Sequence, residues 1–170
     1  MSYSPRMKRI RQLRLTKKYL EILGNLLGRV VSQSELGSIE QVPILQESSK
    51  KFVGAKASSY EIPFEDRRSN YFEHFIKSLR EANGSPVYLW VSYAEDCGLL
   101  LLPSIEDMNF DFSFDVDGNG VMSLETKDLS DRLLLDFFKD DDGSERLTIR
   151  VQGEHWKDIP LQRPSPGRSE

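Results

Sequence analysis

Cysteine is nearly absent from this chain: Cys97 stands alone, which excludes an intramolecular disulfide and a cysteine-rich zinc site. With His74 and His155 as the two histidines, transition-metal chemistry is short of ligands as well. No run approaches the roughly 20 apolar residues that cross a bilayer. A secretory signal is not evident, because Glu21, Asn25 and Arg29 break the apolar stretch that would have to follow the basic N-terminus. These absences lead to the expectation of a cytoplasmic protein. Also missing are a glycine-rich phosphate loop, a nucleophile elbow and a paired His-Glu helix motif. The sequence names no reaction, and the expectation is a non-catalytic protein without a cofactor.

What is present is charge of strongly uneven distribution. The net charge of −4 combines two opposed regions. Residues 1–30 carry eight Lys or Arg against Glu21, giving +7. Residues 95–145 carry fifteen acids against Lys127, Arg132 and Lys139, giving −12. A field of that density attracts a basic partner and speeds its association.

The 170 residues fit one domain, large enough to bury a core without staples. Residues 1–31 read as a basic arm and amphipathic helix. Thr16 is the expected N-cap, and Tyr19, Leu20, Leu23, Leu26, Leu27 and Val30 share one face. Gly24 and Gly28 weaken that helix and call for close packing or an irregularity. Residues 32–66 are polar and read as a long connection with one short strand around Phe52. A helix over 70–82 follows, with Asn70 and Glu73 as a capping box and Tyr71, Phe72, Phe75, Ile76 and Leu79 as its apolar stripe.

After Pro86 the period falls from 3.6 to 2. Strands are expected between 87 and 152: Val87 to Tyr93, the continuous Leu99–Leu102 run, Phe110 to Val116, Met122 and Leu124, Leu133 to Phe137, and Leu147 to Val151. The expected fold is therefore α+β, with N-terminal helices packed on one face of a five- to six-stranded antiparallel meander and the aspartates on the other. Residues 32–156 form the single α+β domain, and 157–170, rich in proline, read as a flexible tail.

The stretch Asp115 to Gly120 imitates the opening of a calcium loop, with Asp115, Asp117 and Asn119 as candidate ligands. The bidentate glutamate such a loop needs at its twelfth position is missing, since Thr126 stands there and Glu125 falls one residue short. The flanks alternate at period 2 where helices are required. A hairpin turn built on Asp-Gly and Asn-Gly explains the same residues. His74 reads as a solvated helix residue, and His155 as part of an anchor that tucks Trp156 onto the core. The acids before Cys97 disfavour its thiolate. The basic segment 6–18 reads as a solubilising arm, or as one that folds back on the acidic part of its own chain.

A small α+β chain with one acidic region and no catalytic motif resembles the immunity proteins that bacteria pair with contact-dependent inhibition and related polymorphic toxins. The resemblance covers residues 60–156 and rests on size, strand meander and acidity. It implies a protein-binding module that neutralises a basic partner, such as a toxin nuclease. On that reading Asp111, Asp115, Asp117, Asp136, Asp140, Asp141 and Asp142 steer the partner, and Tyr93 or Phe138 supplies an aromatic anchor. The alternative is a regulatory or chaperone-like adaptor whose basic N-terminal helix contacts nucleic acid or membrane.

Overall fold

The structure is a computed structural model that describes residues 4–165. The outermost parts of the expected basic arm and tail, residues 1–3 and 166–170, lie outside the described residues. Alternation of apolar and polar residues produces the two longest strands, β5 (Asp131–Lys139) and β6 (Glu145–Gly153). Leu133, Leu135 and Phe137 of β5 and Leu147, Ile149 and Val151 of β6 point to one side and are buried. The turn between them closes with Gly143 at φ 82°, a conformation that glycine adopts without penalty. On one flank stands β4 (Val121–Thr126), and on the other β1 (Ala57–Pro63). Beyond β4 come β2 (Val87–Trp90) and β3 (Leu100–Leu102), so the all-antiparallel order is β1-β6-β5-β4-β2-β3.

Among the described residues four α-helices complete the α+β fold: α1 (Pro5–Leu27), α2 (Gln41–Ser49), α3 (Asn70–Ala82) and the single turn α4 (Ala94–Cys97). The stripe Phe72, Phe75, Ile76 and Leu79 makes α3 strongly amphipathic, and it is buried on the apolar side of the sheet. Tyr60 of β1 meets Phe75 edge-on, with ring centroids 6.1 Å apart. Trp156 is wholly buried, and its Nε1 donates to the Leu79 carbonyl at 2.8 Å, as expected of a chain-terminating anchor. Replacing it with alanine would cost about 3–5 kcal/mol. The helix α1 reaches the core through Leu23 and Leu26, and the Tyr19 hydroxyl donates to the Gly98 carbonyl.

Several boundaries differ from the sequence reading, each for a local reason. α1 begins at Pro5 with Ser4 as its cap, so Thr16 lies mid-helix and its hydroxyl donates to Gln12 O. It stops at Leu27 because Gly28 turns left-handed and donates to Gly24 O, which leaves Val30 outside the helix and exposed. Ser69, not Asn70, caps α3 by accepting from the Phe72 N–H. The polar connection 32–66 contains α2 and the strand β1, while Phe52 lies in a short 3-10 turn.

The segment 110–116 alternates like a strand but joins no ladder, and the Phe112 carbonyl instead accepts from the buried Arg67 guanidinium. The segment's aromatic side chains cluster on one another and on their neighbours: Phe64 contacts Phe112 and Phe114, and Phe110 contacts Phe72. Helices also occupy both sheet faces, since α2 and the turn after it lie over the side opposite α3. There Ser49 donates to Glu125, Gln152 Nε2 donates to the Phe52 carbonyl, and the Arg132 guanidinium stacks on the Phe52 ring. The first residues of the expected tail are held: Ser58 donates to Lys157 O, the Tyr60 hydroxyl to Ile159 O, and Arg163 pairs with Asp66.

Candidate functional site

Because α2 covers only one end of the outer sheet face, the outward-pointing residues of the remaining rows are left open. Register places Trp90 beside Ser123, Leu134 and Arg150 in one row across β2, β4, β5 and β6. The next row runs Val121, Asp136, Thr148 and Glu61, and the last pairs Phe138 with Arg146. Trp90, Leu134 and Phe138 are half-buried and Val121 is exposed. This is a patch of large apolar side chains interleaved with single charges, the composition of an interface centre. It carries few of the expected aspartates. They would have come from a strand at 110–116 that does not form.

Trp90 separates two clefts. One, of about 360 Å³, is lined by Tyr93, Glu95, Asp96, Asn119, Val121 and Trp90 itself. Its shape depends on a clasp between the residue pair after β2 and the turn before β4. The Ser92 N–H and hydroxyl donate to Asp117 at 2.9 and 2.5 Å, and the Asn119 N–H donates to the same carboxylate at 3.1 Å. Asn119 Nδ2 donates in turn to Ser92 Oγ at 2.6 Å. Next to the clasp, Tyr93 holds φ at 71°, a left-handed conformation that costs an aromatic residue about 1–3 kcal/mol. The strain turns the chain abruptly from β2 into α4 and sets Tyr93 on the cleft wall, where two aromatic side chains and the acids Glu95 and Asp96 surround one space. Asp96 already pairs with Arg11 at 3.0 Å and Glu95 accepts from Gln46 Nε2 at 2.8 Å, so a partner's basic side chain would enter this space by competing with them.

On the other side of Trp90 a cleft of about 250 Å³ is lined by Gln46, Ser49, Val53, Ser123, Glu125 and Arg132. Burial pushes the Glu125 carboxyl above its usual range, against the lowering effect of the Ser49 hydroxyl and Arg132. Trp90 Nε1 lies beside this group without a well-formed hydrogen bond, and it is the one buried side-chain donor lacking a partner among the described residues. An orphaned donor of this kind costs about 1–3 kcal/mol and marks the ring as the least satisfied part of the face.

The residues singled out from sequence are dispersed. Asp140, Asp141 and Asp142 are exposed in the β5–β6 turn, where the Ser144 N–H and hydroxyl hold Asp142 below the usual carboxylate range. Asp115 is exposed in the turn before β4, near the same end of β5, since Phe114 contacts Phe137 and Lys139 lies over Phe114. Asp136 and Phe138 point outward from β5. Those six positions share the end of the sheet beside the open face. Asp111 does not join them: it pairs with Arg68 near α3. Asp117 is buried in the clasp and unavailable for steering, a correction that follows from the turn folding inward on Ser92. Tyr93 is not on a strand but at the head of α4.

With its oxygens already occupied, Asp117 is a structural residue, and no group of three His, Cys, Asp or Glu able to hold a metal occurs among the described residues. Asp115 to Gly120 do form a turn, with the Gly120 N–H donating to the Asp117 carbonyl, but it is not the expected hairpin turn, because the segment before it is not a strand. His155 likewise has a structural place: its ring and N–H both bond the wholly buried Asp131 at 2.8 Å. Burial raises the Cys97 thiol above its ordinary value. A cleft of about 410 Å³ beside α3 has Arg68 paired with Asp111 on its wall, and its Glu106 is paired with Arg80.

Sequence reasoning missed Trp90, Val121 and Leu134 as surface residues. The signal was available in the strand period, because each stands at an outward position beside inward Leu89, Met122 and Leu135. Comparison with family models, with curated proteins and with solved structures finds no match for this chain. The class of protein rests on the open face itself: an α+β domain that presents an apolar sheet surface with an aromatic, acid-flanked cleft.

Proposed function

We propose that this protein is a non-catalytic binding module that neutralises a basic protein partner by covering its functional surface. The observation that carries this reading is the half-open sheet face, where Trp90, Val121, Leu134 and Phe138 lie together at the acid-rich end of the sheet. Burying a half-exposed aromatic centre supplies affinity, and Asp115, Asp136 and Asp140 to Asp142 supply attraction to a basic surface. The cleft between Trp90 and Tyr93 adds a seat for one arginine or lysine of the partner. Inhibition of a nuclease-like toxin fits this arrangement, because such a partner is basic where it holds phosphate. An immunity role is the form of this function that matches the chain's size and charge.

The test pairs capture with activity. Tagged protein is used to retain a partner at low salt, in parallel with Trp90→Ala and with a triple charge reversal at Asp140, Asp141 and Asp142. The reading expects a basic partner at stoichiometric yield and loss of that partner's activity when the chain is added. Trp90→Ala should weaken the complex by on the order of tenfold or more, and the charge reversal should slow association most at low salt. Equal retention by all three proteins would reject the face.

A further inference from the structure

The first ten residues of α1 are largely exposed to solvent. Residues 5–11, 13 and 14 are exposed, and Thr16 is the first buried position. Over that length a helix extends about 15 Å. Local sequence stabilises this overhang poorly. Arg6, Lys8 and Arg9 sit at the positive end of the helix dipole, the first turn has no acid, and seven cations fall between residues 6 and 18. Three large aliphatic side chains are nevertheless presented to solvent there: Met7, Ile10 and Leu13 are 51, 45 and 65% exposed. At about 100° per residue they form one slanted strip, with Arg6, Arg14 and Lys17 interleaved along it, on the side away from buried Tyr19, Leu23 and Leu26. Arg11 pairs with Asp96 of α4 at 3.0 Å, which fixes this half-helix relative to the body.

We infer that the exposed strip of α1 is a second binding surface, independent of the sheet face, that lies on an anionic lipid bilayer. Lipid headgroups match the cations, and the acyl boundary just below them takes the three aliphatic side chains. Nucleic acid would use the charge but gain nothing from Met7, Ile10 and Leu13, and among the described residues the strip has no aromatic ring to stack on a base. This surface does not span the membrane, for no helix among the described residues is long and apolar enough to do so.

The experiment uses the full chain and vesicles of phosphatidylcholine with or without about 30 mol % phosphatidylserine, followed by flotation at about 0.1 M salt. Binding to the anionic vesicles alone is expected, weakening as salt rises. The double variant Ile10→Glu/Leu13→Glu, at exposed positions that leave the melting temperature unchanged, should bind these vesicles on the order of tenfold more weakly. Absence of binding to anionic vesicles overturns the inference. So does unchanged binding by the double variant, which would reduce the interaction to diffuse electrostatics. Two further results also overturn it: preferential binding to a single-stranded RNA that the double variant retains, or a salt-sensitive dimer in the absence of lipid that the double variant abolishes.

Discussion

Replacing Asp131 with alanine should be among the most damaging single changes outside the apolar core. The carboxylate is wholly buried at the start of β5 and gathers the three segments that close the fold. Its Oδ1 accepts from the His155 and Trp156 N–H groups at 2.8 and 3.0 Å, and its Oδ2 from Asn83 Nδ2 at 2.7 Å and from His155 Nδ1 at 2.8 Å. Alanine leaves the Trp156 N–H unpaired in the interior, whereas solvent can reach the ring of His155. Counting one fully orphaned donor at about 1–3 kcal/mol and the other three at about 0.5–1.5 kcal/mol each gives a loss of about 2.5–7.5 kcal/mol. With a urea dependence of about 2 kcal/mol per molar, the unfolding midpoint should fall by roughly 1–4 M. Asp131→Asn should fall less, since it keeps one acceptor oxygen for the two backbone donors. Urea titration followed by tryptophan fluorescence measures both. A midpoint shift under about 0.3 M for alanine would refute the view that this carboxylate ties the C-terminal anchor to the sheet.

Other consequences can be checked in the same way. The hydrogen bond and charge of Asp131 raise His155 above its ordinary value, so its stabilising contribution is fully present below about pH 6.5 and disappears as pH rises through the raised value. Comparing melting curves of the wild type and His155→Gln across that window should reveal a pH-dependent difference, largest on the acid side, and a constant difference would refute it. Asp117→Ala should lower stability by about 2–3 kcal/mol through loss of the clasp. Calcium at millimolar excess should leave the wild-type melting temperature unchanged, because the Asp117 oxygens are already engaged; a concentration-dependent rise would restore the metal reading. Gly153→Ala should unfold at markedly lower denaturant, since its Cβ would sit 2.1 Å from the Ser130 carbonyl at a φ of 112°.

The sequence reading succeeded where pattern and structure share one cause. The α3 stripe and the β5 and β6 alternation follow directly from which side chains must leave water, and the α+β class follows from their order. It failed at 110–116 because period-2 burial does not require a strand partner: Phe110, Phe112 and Phe114 find one another and Phe64, with the backbone left unpaired by any ladder. It missed β1 because Ser58, Ser59 and Glu61 look like loop residues, and only the long-range pairing with β6 makes a strand of them. For the candidate site, acidity was legible as composition but not as placement. Asp117 faces inward and Asp111 is neutralised by Arg68, while Trp90 drew no notice until the register exposed its row. Tyr93 was legible as an aromatic worth watching, though its left-handed backbone has no sequence signature.

The pairing of β1 with β6 also dictates the order in which a new chain can acquire its shape. Ala57 sits opposite Gln152 and Pro63 opposite Arg146, so among the described residues an early strand has the last strand as its sole neighbour in the sheet. The indole of Trp156 then closes on the Leu79 carbonyl of α3. During synthesis the first two thirds of the polypeptide therefore leave the ribosome without the partners that bury Ile62, Phe75 and Leu79. Long separations of this kind slow folding and prolong the exposure of apolar surface. The unfinished chain must be shielded by a chaperone or spared by speed, and a stop codon a few residues before Trp156 should yield a product that is degraded.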